Sequence, residues 1–311
     1  MRPKYSVQNG VALITALLVV ALATTAAVSM ASRGQLDLRR SGNLLQGDQI
    51  WLYTLGVEDW AAQVLRRDRE DGEIDHGEEE WATQLPPIPV EGGEISGFIE
   101  DLDGRFNLNN VVGADGTVST PDLEQLRRLL DALALEPRLA NAIADWLDSN
   151  IDPTLPDGAE DDAYLRLDPT YRTANRPMAH VSELRLVAGV TAEVDATLRP
   201  HVTALPGRTA VNVNTAGVPV LQSLAEGISA DEAERLVSDR GDEGYGSTDD
   251  FLAHEVLAAR EVDGGTIAVA SRHFVVTSRI RVARLETVQQ SLLRRGDNGG
   301  SETLWRMQGV H

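Results

Sequence analysis

Gln8-Asn9-Gly10 followed by Val11-Ala12-Leu13-Ile14-Thr15 and onward to Ala31 is the stretch of this 311-residue chain whose reading decides the fold. Val11 to Ala31 contains no charge and no proline. A continuous helix over it rises roughly 30 Å, enough to cross a hydrocarbon core. Arg2 and Lys4 give the basic head of an exported protein. The small residue that invites cleavage, Gly10, stands before the apolar run, whereas an ordinary secretory signal carries its small-residue site after that run. Counting positive charges does not orient the span, because Arg2 and Lys4 on one side face Arg33, Arg39 and Arg40 on the other.

This order resembles the class III signal of type IV pilins and pseudopilins. The resemblance implies cleavage between Gly10 and Val11 by a prepilin peptidase on the cytoplasmic side, with N-methylation of the new terminus, and it leaves the apolar helix on the mature protein. Thr15 stands where most pilin-like subunits carry a glutamate that neutralises the buried amine of a neighbour, a pairing that an unpaired charge in lipid makes valuable. A subunit without that glutamate resembles the K component of the bacterial type II secretion pathway, the large minor pseudopilin at the fibre tip. The resemblance implies a single-pass protein of the bacterial inner membrane with its body in the periplasm. Its implied partners are the other minor pseudopilins, in a tip complex that initiates assembly, the prepilin peptidase and the inner-membrane secretion platform.

Composition narrows the remaining classes. With 28 basic and 48 acidic residues the formal charge is −20, which disfavours nucleic acid, since binding it takes a cluster of cations to replace counterions. The absence of cysteine removes disulfides, thiolate metal sites and cysteine nucleophiles. The length suits an anchor plus two soluble domains.

Beyond Ala31 the helical pattern runs to about Arg67, with Tyr53, Val57, Trp60, Ala61 and Val64 on one apolar face. Gly34, Gly42, Gly47 and Gly56 weaken it, and bending or local melting is expected between Ser32 and Gly47. Trp51 and Trp60 read as core. The acidic run Asp68 to Glu80, with His76 inside it, reads as solvated surface. Pro86, Pro87 and Pro89 mark a linker, and Gly93 to Asp101 reads as the first strand, with Phe98 breaking strict alternation. Asp101-Leu102-Asp103-Gly104-Arg105-Phe106-Asn107-Leu108-Asn109-Asn110 reads as an ordered exit from the sheet. It is similar to the signature that precedes an inserted helical domain in the K family.

Thr120-Pro121 opens a helix bearing Leu123, Leu126, Leu130 and Leu133, and Leu139, Ile143, Trp146 and Leu147 trace a second, joined by a short connection. Asp148-Ser149-Asn150-Ile151-Asp152-Pro153, Asp157-Gly158-Ala159 and Glu160-Asp161-Asp162 then gather six carboxylates within fifteen residues. Held in a fold, they repel unless a cation or solvent intervenes. A hard cation with many oxygen ligands answers this, and calcium suits better than magnesium. The loop is not an EF-hand, because Pro153 and Ala159 occupy positions that need glycine and glutamate. Trp146, Asp148, Asn150, Gly158, Ala159, Glu160, Asp161 and Tyr164 are similar to the calcium-loop pattern of the K family. That resemblance implies Asp148, Asn150, Asp152, Glu160 and Asp161 as ligands of a structural Ca2+, with Asp157 and Asp162 as further carboxylates of the loop.

Tyr171-Arg172-Thr173-Ala174-Asn175-Arg176-Pro177 and Ser182-Glu183-Leu184-Arg185-Leu186 also resemble this family, and Ser182 is expected to cap a short helix ending near Gly189. Thr215 is expected to cap a helix bearing Val218, Leu221 and Leu224. After Gly227-Ile228-Ser229 comes another with Ala233, Leu236 and Val237, a helix-hairpin-helix-like unit whose Asp231, Glu232 and Glu234 repel phosphate. Asp249 to Ala259 reads as one more helix. His273 to Val282, Leu285 to Leu293 and Glu302 to Val310 read as closing strands.

The expected fold is α+β: a pilin-like long N-terminal helix packed on a small antiparallel sheet, with a large inserted all-α, SAM-like domain. The expected divisions are a leader at 1–10, a membrane part at 11–31, soluble helix and first sheet residues at 32–106, the insertion at 107–271 and closing strands at 272–311. No Gly-x-Ser-x-Gly, His-Glu-x-x-His or phosphate-binding glycine loop is present, so the reading is non-enzymatic. The alternatives are a membrane-anchored calcium-dependent hydrolase and a DNA-uptake pseudopilin with a helix-hairpin-helix module.

Overall fold

The computed structural model describes residues 9–309, so Arg2, Lys4 and Gln8 of the leader and Val310 at the end of the last strand lie outside the described residues. Helix α1 runs unbroken from Asn9 to Asp71. The melting expected between Ser32 and Gly47 is absent. Gly34, Gly42, Gly47 and Gly56 each cost about 1 kcal/mol against alanine, but no proline interrupts the hydrogen-bond ladder. All four stand in open space, with nothing within 4 Å of an added Cβ. The N-terminal part of α1 is long and apolar enough to cross a membrane and is not buried by the rest of the chain.

After α1 come strands β1 (Leu85–Val90) and β2 (Gly93–Asp101). The proline segment is therefore an edge strand and not a linker, and Gly93–Asp101 is the second strand. Prolines lack the N–H of a ladder donor and are tolerated at an edge, where the β1–β2 register also shifts between Leu85 and Ile88. The chain continues through β3 (Phe106–Asn107), α2 (Thr120–Ala132), α3 (Leu139–Leu147), α4 (Asp161–Tyr164), α5 (Ala192–Leu198), β4 (Val202–Thr203) and β5 (Val211–Asn212). Then follow α6 (Val218–Ser223), α7 (Ala230–Asp239), α8 (Thr248–Leu252) and β6 (Ile267–Ala268). Strands β7 (His273–Val282), β8 (Leu285–Arg295) and β9 (Ser301–Gln308) close the chain.

The sheet has the order β1-β2-β7-β8-β9 and is antiparallel throughout. Its two halves in sequence, β1–β2 and β7–β9, are joined side by side, so the helical part is an insertion between β2 and β7. That insertion contains two short parallel pairings, β3 with β4 and β5 with β6, among its helices. Its core is one continuous cluster reaching from Phe106 to Ile267, with Phe106, Leu126, Leu129, Ile143, Leu147, Tyr164 and Phe251 fully buried.

Helix α1 covers one face of the sheet. Ala61, Val64 and Leu65 pack with Ile99, Phe274, Val276 and Leu293, and Ile50 packs with Ile280 and Val282. Glu58 anchors the helix, accepting from Arg306 at 2.7 Å and Gln289 at 3.1 Å. Trp60 is half-buried as a core residue, but Trp51 is 42% exposed and is not core. Phe98 lies on the second face of β2, which accounts for the broken alternation, since the insertion lies over that face.

Several local signals resolve differently from the sequence reading. Ser119 precedes α2 as its cap residue, one position before Thr120. His180, not Ser182, caps a 3-10 helix over Val181–Leu186, its ring accepting from the Ser182 N–H. Gly217 precedes α6, and Thr215 instead bonds Asp101. The expected Asp249–Ala259 helix is α8 followed by a 3-10 turn at Glu255–Leu257, because the His254 ring accepts from the Val256 N–H and breaks the ladder.

Candidate metal centre

Helix α3 ends at Leu147, and Asp148 follows in an extended conformation. Asp145 thus stands in the last turn of a helix and Asp148 caps its end, where the carbonyl groups already carry negative partial charge. Both are completely buried, and Glu160, which precedes α4, is nearly so. Asp148 accepts from the Asn150 N–H at 3.1 Å and from its side-chain amide at 2.8 Å. The carboxylate of Asp145 accepts from the Thr154 N–H at 3.1 Å. These bonds fold the loop back over the helix end.

The Tyr171–Pro177 segment closes the other side. Thr173 donates its hydroxyl to Glu160 at 2.9 Å and to Asp161 at 3.1 Å, Arg172 pairs with Asp161 at 2.6 Å, and Asn175 donates to the Asn150 carbonyl at 2.9 Å. The two most specific motifs of the sequence therefore form one structure.

The electrostatics of that structure are unfavourable without a cation. Burial pushes Glu160 up to about 7, and Asp145, Asp148 and Asp161 push the same way, against the hydrogen bond from Thr173. Burial also raises Asp145, and burial together with Asp145 raises Asp148. One oxygen of Glu160, Oε1, is buried with no partner.

Of the expected ligands, Glu160 and Asp161 share the Thr173 hydroxyl and Asp148 acts on Glu160 through its charge, but their carboxylate oxygens do not close to within 4.8 Å as a trio. Asn150 reaches the group through its bonds to Asp148, while Asp152, Asp157 and Asp162 are exposed. Asp145 belongs to the cluster and was missed. The signal was present, because Asp145 and Asp148 are three apart on one helix face.

A second carboxylate group lies in the run expected to be solvated. Asp68, Asp75 and Glu79 are the one trio among the described residues whose ligand atoms lie within 4.8 Å of one another, and such a group can chelate a divalent ion. It already holds a cation of the protein's own: Arg295 pairs with Asp75 at 2.5 Å and with Asp68 at 2.7 Å. The acidic run is drawn inward by that buried guanidinium, so Asp75 is not surface.

Two alternative activities find little support in the geometry. A cleft of about 640 Å³ adjoins Asp157, Gly158 and Ala159, but its walls carry no serine, histidine or lysine. At the Gly227 turn, Arg260 is bonded to the Gly227 carbonyl and to Glu232, and Arg235 pairs with Glu255, so these cations are not free for phosphate.

Residues 104–207 and 211–276 match two family models, each described as Type II secretion system (T2SS), protein K. Type II secretion system protein K of Pseudomonas aeruginosa is 42% identical over 97% of this chain and 93% of its own. That of Klebsiella pneumoniae is 35% identical over 93% of each chain. The crystal structure of the GspK-GspI-GspJ complex from enterotoxigenic Escherichia coli contains a chain that superposes with a TM-score of 0.78 at 26% identity, over 88% of this chain and all of that one. With its apolar N-terminal span, its helix-on-sheet body and its helical insertion all accounted for, this chain belongs to the type II secretion system protein K family.

Proposed function

We propose that this chain is a non-enzymatic minor pseudopilin that joins other minor pseudopilins in the tip complex of a periplasmic pseudopilus and initiates its assembly. The observation that carries the reading is the superposition on a chain of the GspK-GspI-GspJ complex, because it spans the long helix, the sheet and the insertion together. The prepilin peptidase, acting between Gly10 and Val11, and the inner-membrane platform are the further partners, and Val11 becomes the methylated N-terminus. We take the insertion to run over 107–271, between 32–106 and 272–311, supported by a helical core whose buried residues run from Phe106, one position outside that division, to Ile267.

Calcium is the cation we assign to the Asp148–Asp161 loop. The donor set suits it: Asp145, Asp148 and Glu160 are buried carboxylates near a helix C-terminus, one with an unpartnered oxygen, and binding an ion would draw them closer together. Asp148, Asn150, Glu160 and Asp161 would hold the ion with Asp145 beside them, and Asp152 would join by a loop movement. Bound calcium supplies the positive charge that offsets their mutual repulsion. The role is structural, fixing the loop against Thr173 and Asn175.

Co-purification tests the assembly: the full chain, expressed with the other minor pseudopilins of its system, is expected to elute with them as one complex. Elution alone would refute the reading. For the metal, saturating calcium adds about 2.7 kcal/mol at a hundred times the dissociation constant, so a rise in Tm is expected. It should vanish in the Asp148→Ala, Glu160→Ala double variant.

A further inference from the structure

The sheet has a second face, and a cavity opens on it. Along β7, Phe274, Val276 and Ile280 pack toward α1, while Val275 packs the other way with Leu102, Leu205 and Leu292. Between that second face and the insertion lies a cavity of about 380 Å³, within the range of small-ligand sites. Phe98, Val275 and Val288 contribute an apolar floor, and Val181 and Val202 an apolar wall from the insertion.

Its lining carries more cations than anions. Three guanidinium side chains line it, Arg105, Arg199 and Arg279, against one carboxylate, Glu100, in a chain of net charge −20. Arg105 is paired with Glu100 at 3.0 Å. The partners of Arg199 and Arg279 are Asp195 and Glu286, which do not line the cavity.

His180 adds a neutral donor. Its Nδ1 accepts from the Ser182 N–H at 3.2 Å, so the neutral ring carries its proton on Nε2, which has no partner among the described residues. Burial and the neighbouring Arg199 hold its pKa below the usual range, which keeps the ring neutral. Trp305 stands edge-on to His180 at 5.2 Å between ring centroids, and its own indole nitrogen is buried and unpartnered. The arginines and His180 thus bring N–H donors to the edge of an apolar space, and the buried Trp305 nitrogen beside it is left unpaired, which is costly.

We propose that this cavity binds an amphipathic carboxylate, an apolar body bearing one anionic head, of the kind presented by a polypeptide C-terminus ending in an apolar residue or by a free medium-chain carboxylic acid. The apolar floor takes the body, and the arginines and His180 take the head. Because the guanidiniums already share carboxylates, a single negative charge suits the site better than a dianion. The proposal is independent of the calcium loop and of the tip assignment.

Isothermal titration of the full chain in lipid nanodiscs tests it with four probes: a short uncharged peptide ending in leucine, the same peptide amidated at its C-terminus, octanoate and inorganic phosphate. At least one free carboxylate is expected to bind, the free-acid peptide about tenfold tighter than its amide if the peptide is the source. Binding of the peptide and not octanoate identifies a polypeptide end as the source; the reverse identifies a free amphiphile. His180→Phe and Arg279→Gln should weaken the carboxylate, and Val288→Trp, which fills the cavity, should abolish binding while Tm stays within a few degrees. Equal binding of acid and amide, binding of phosphate alone, no binding at all, or binding unchanged in Val288→Trp would overturn the proposal.

Discussion

Arg295 and Asp75 form a fully buried ion pair across 220 residues of sequence, the guanidinium Nη2 lying 2.5 Å from each carboxylate oxygen. The pair ties the segment after α1 to the last residue of β8. The carboxylate of Asp75 also accepts from the Ser271 N–H at 2.7 Å, and its backbone carbonyl accepts from Asn212 at 3.0 Å, so the segment after the helix, the sheet and the insertion meet at one residue. Removing one partner of a buried pair leaves the other charge uncompensated, at a cost of about 3–5 kcal/mol. Arg295→Met is expected to lower the urea midpoint accordingly. Arg281→Ala, which removes exposed pairs with Glu94 and Glu286, should cost about 1 kcal/mol or less. Equal effects of the two would deny the buried pair its role.

The calcium response should depend on pH in a direction set by Glu160. Without a cation its folded-state pKa is raised to about 7, so the folded protein binds a proton that the unfolded chain releases. That group therefore makes the metal-free protein more stable as pH falls from about 7 toward the unfolded value near 4.3. Calcium requires the carboxylate, and protonation competes with it. The calcium-induced rise in Tm is expected in full at about pH 8 and should shrink as pH falls through 7. A rise of equal size at about pH 5.5 would remove Glu160 from the site.

Glycine substitutions separate the loop from the helix. An added Cβ at Gly158 would collide with the carboxylate of Asp145, on the helix beside the loop proposed to hold calcium, and with the carbonyl of Thr154 inside it. Gly158→Ala should therefore reduce or abolish the calcium-induced rise in Tm. Gly47→Ala, on the open surface of α1, should be tolerated and add about 1 kcal/mol of helix stability. Retention of the full calcium response in Gly158→Ala would place the calcium site away from Asp145 and Thr154.

What was legible in the sequence was local or periodic. The apolar run from Val11, the alternation in β7 and the acidic loop could be read because their signals lie within one element. Asp75 could not be read as buried, since its partner Arg295 is distant in the chain and nothing near Asp75 announces it. Pro86 and Pro87 suggested a break, because composition does not reveal that β2 supplies a pairing partner to an edge tolerant of proline. Thr215 had a cap's chemistry but found a better acceptor in Asp101. Asp145 was legible and overlooked.

Processing gives a direct mass. Gly10 precedes the uncharged run, and cleavage there leaves Val11 as the first residue. Intact-mass analysis of membrane-extracted protein is expected to find a chain starting at Val11 and carrying one methyl group. A chain retaining Met1, or one cut after Ala31, would contradict the processing reading.

The position of the subunit follows from Thr15. Its hydroxyl donates within its own helix, to the carbonyls of Val11 at 3.1 Å and Ala12 at 3.0 Å, and it carries no charge to offer a neighbour. In lipid an amine left unpaired is expensive, so a subunit placed above this one would gain nothing from Thr15, whereas the amine that the proposed cleavage would leave on Val11 could still be met by a carboxylate of the subunit below. The insertion between β2 and β7 adds bulk that no further subunit needs to accommodate at an end. Cysteines placed singly along Val11 to Val28, in a chain that has none of its own, allow the neighbours to be read by crosslinking in the membrane. Links to other minor pseudopilins are expected to dominate, and Thr15→Glu should permit added links to subunits above. Dominant links between copies of this chain in the unsubstituted background would sink the tip assignment.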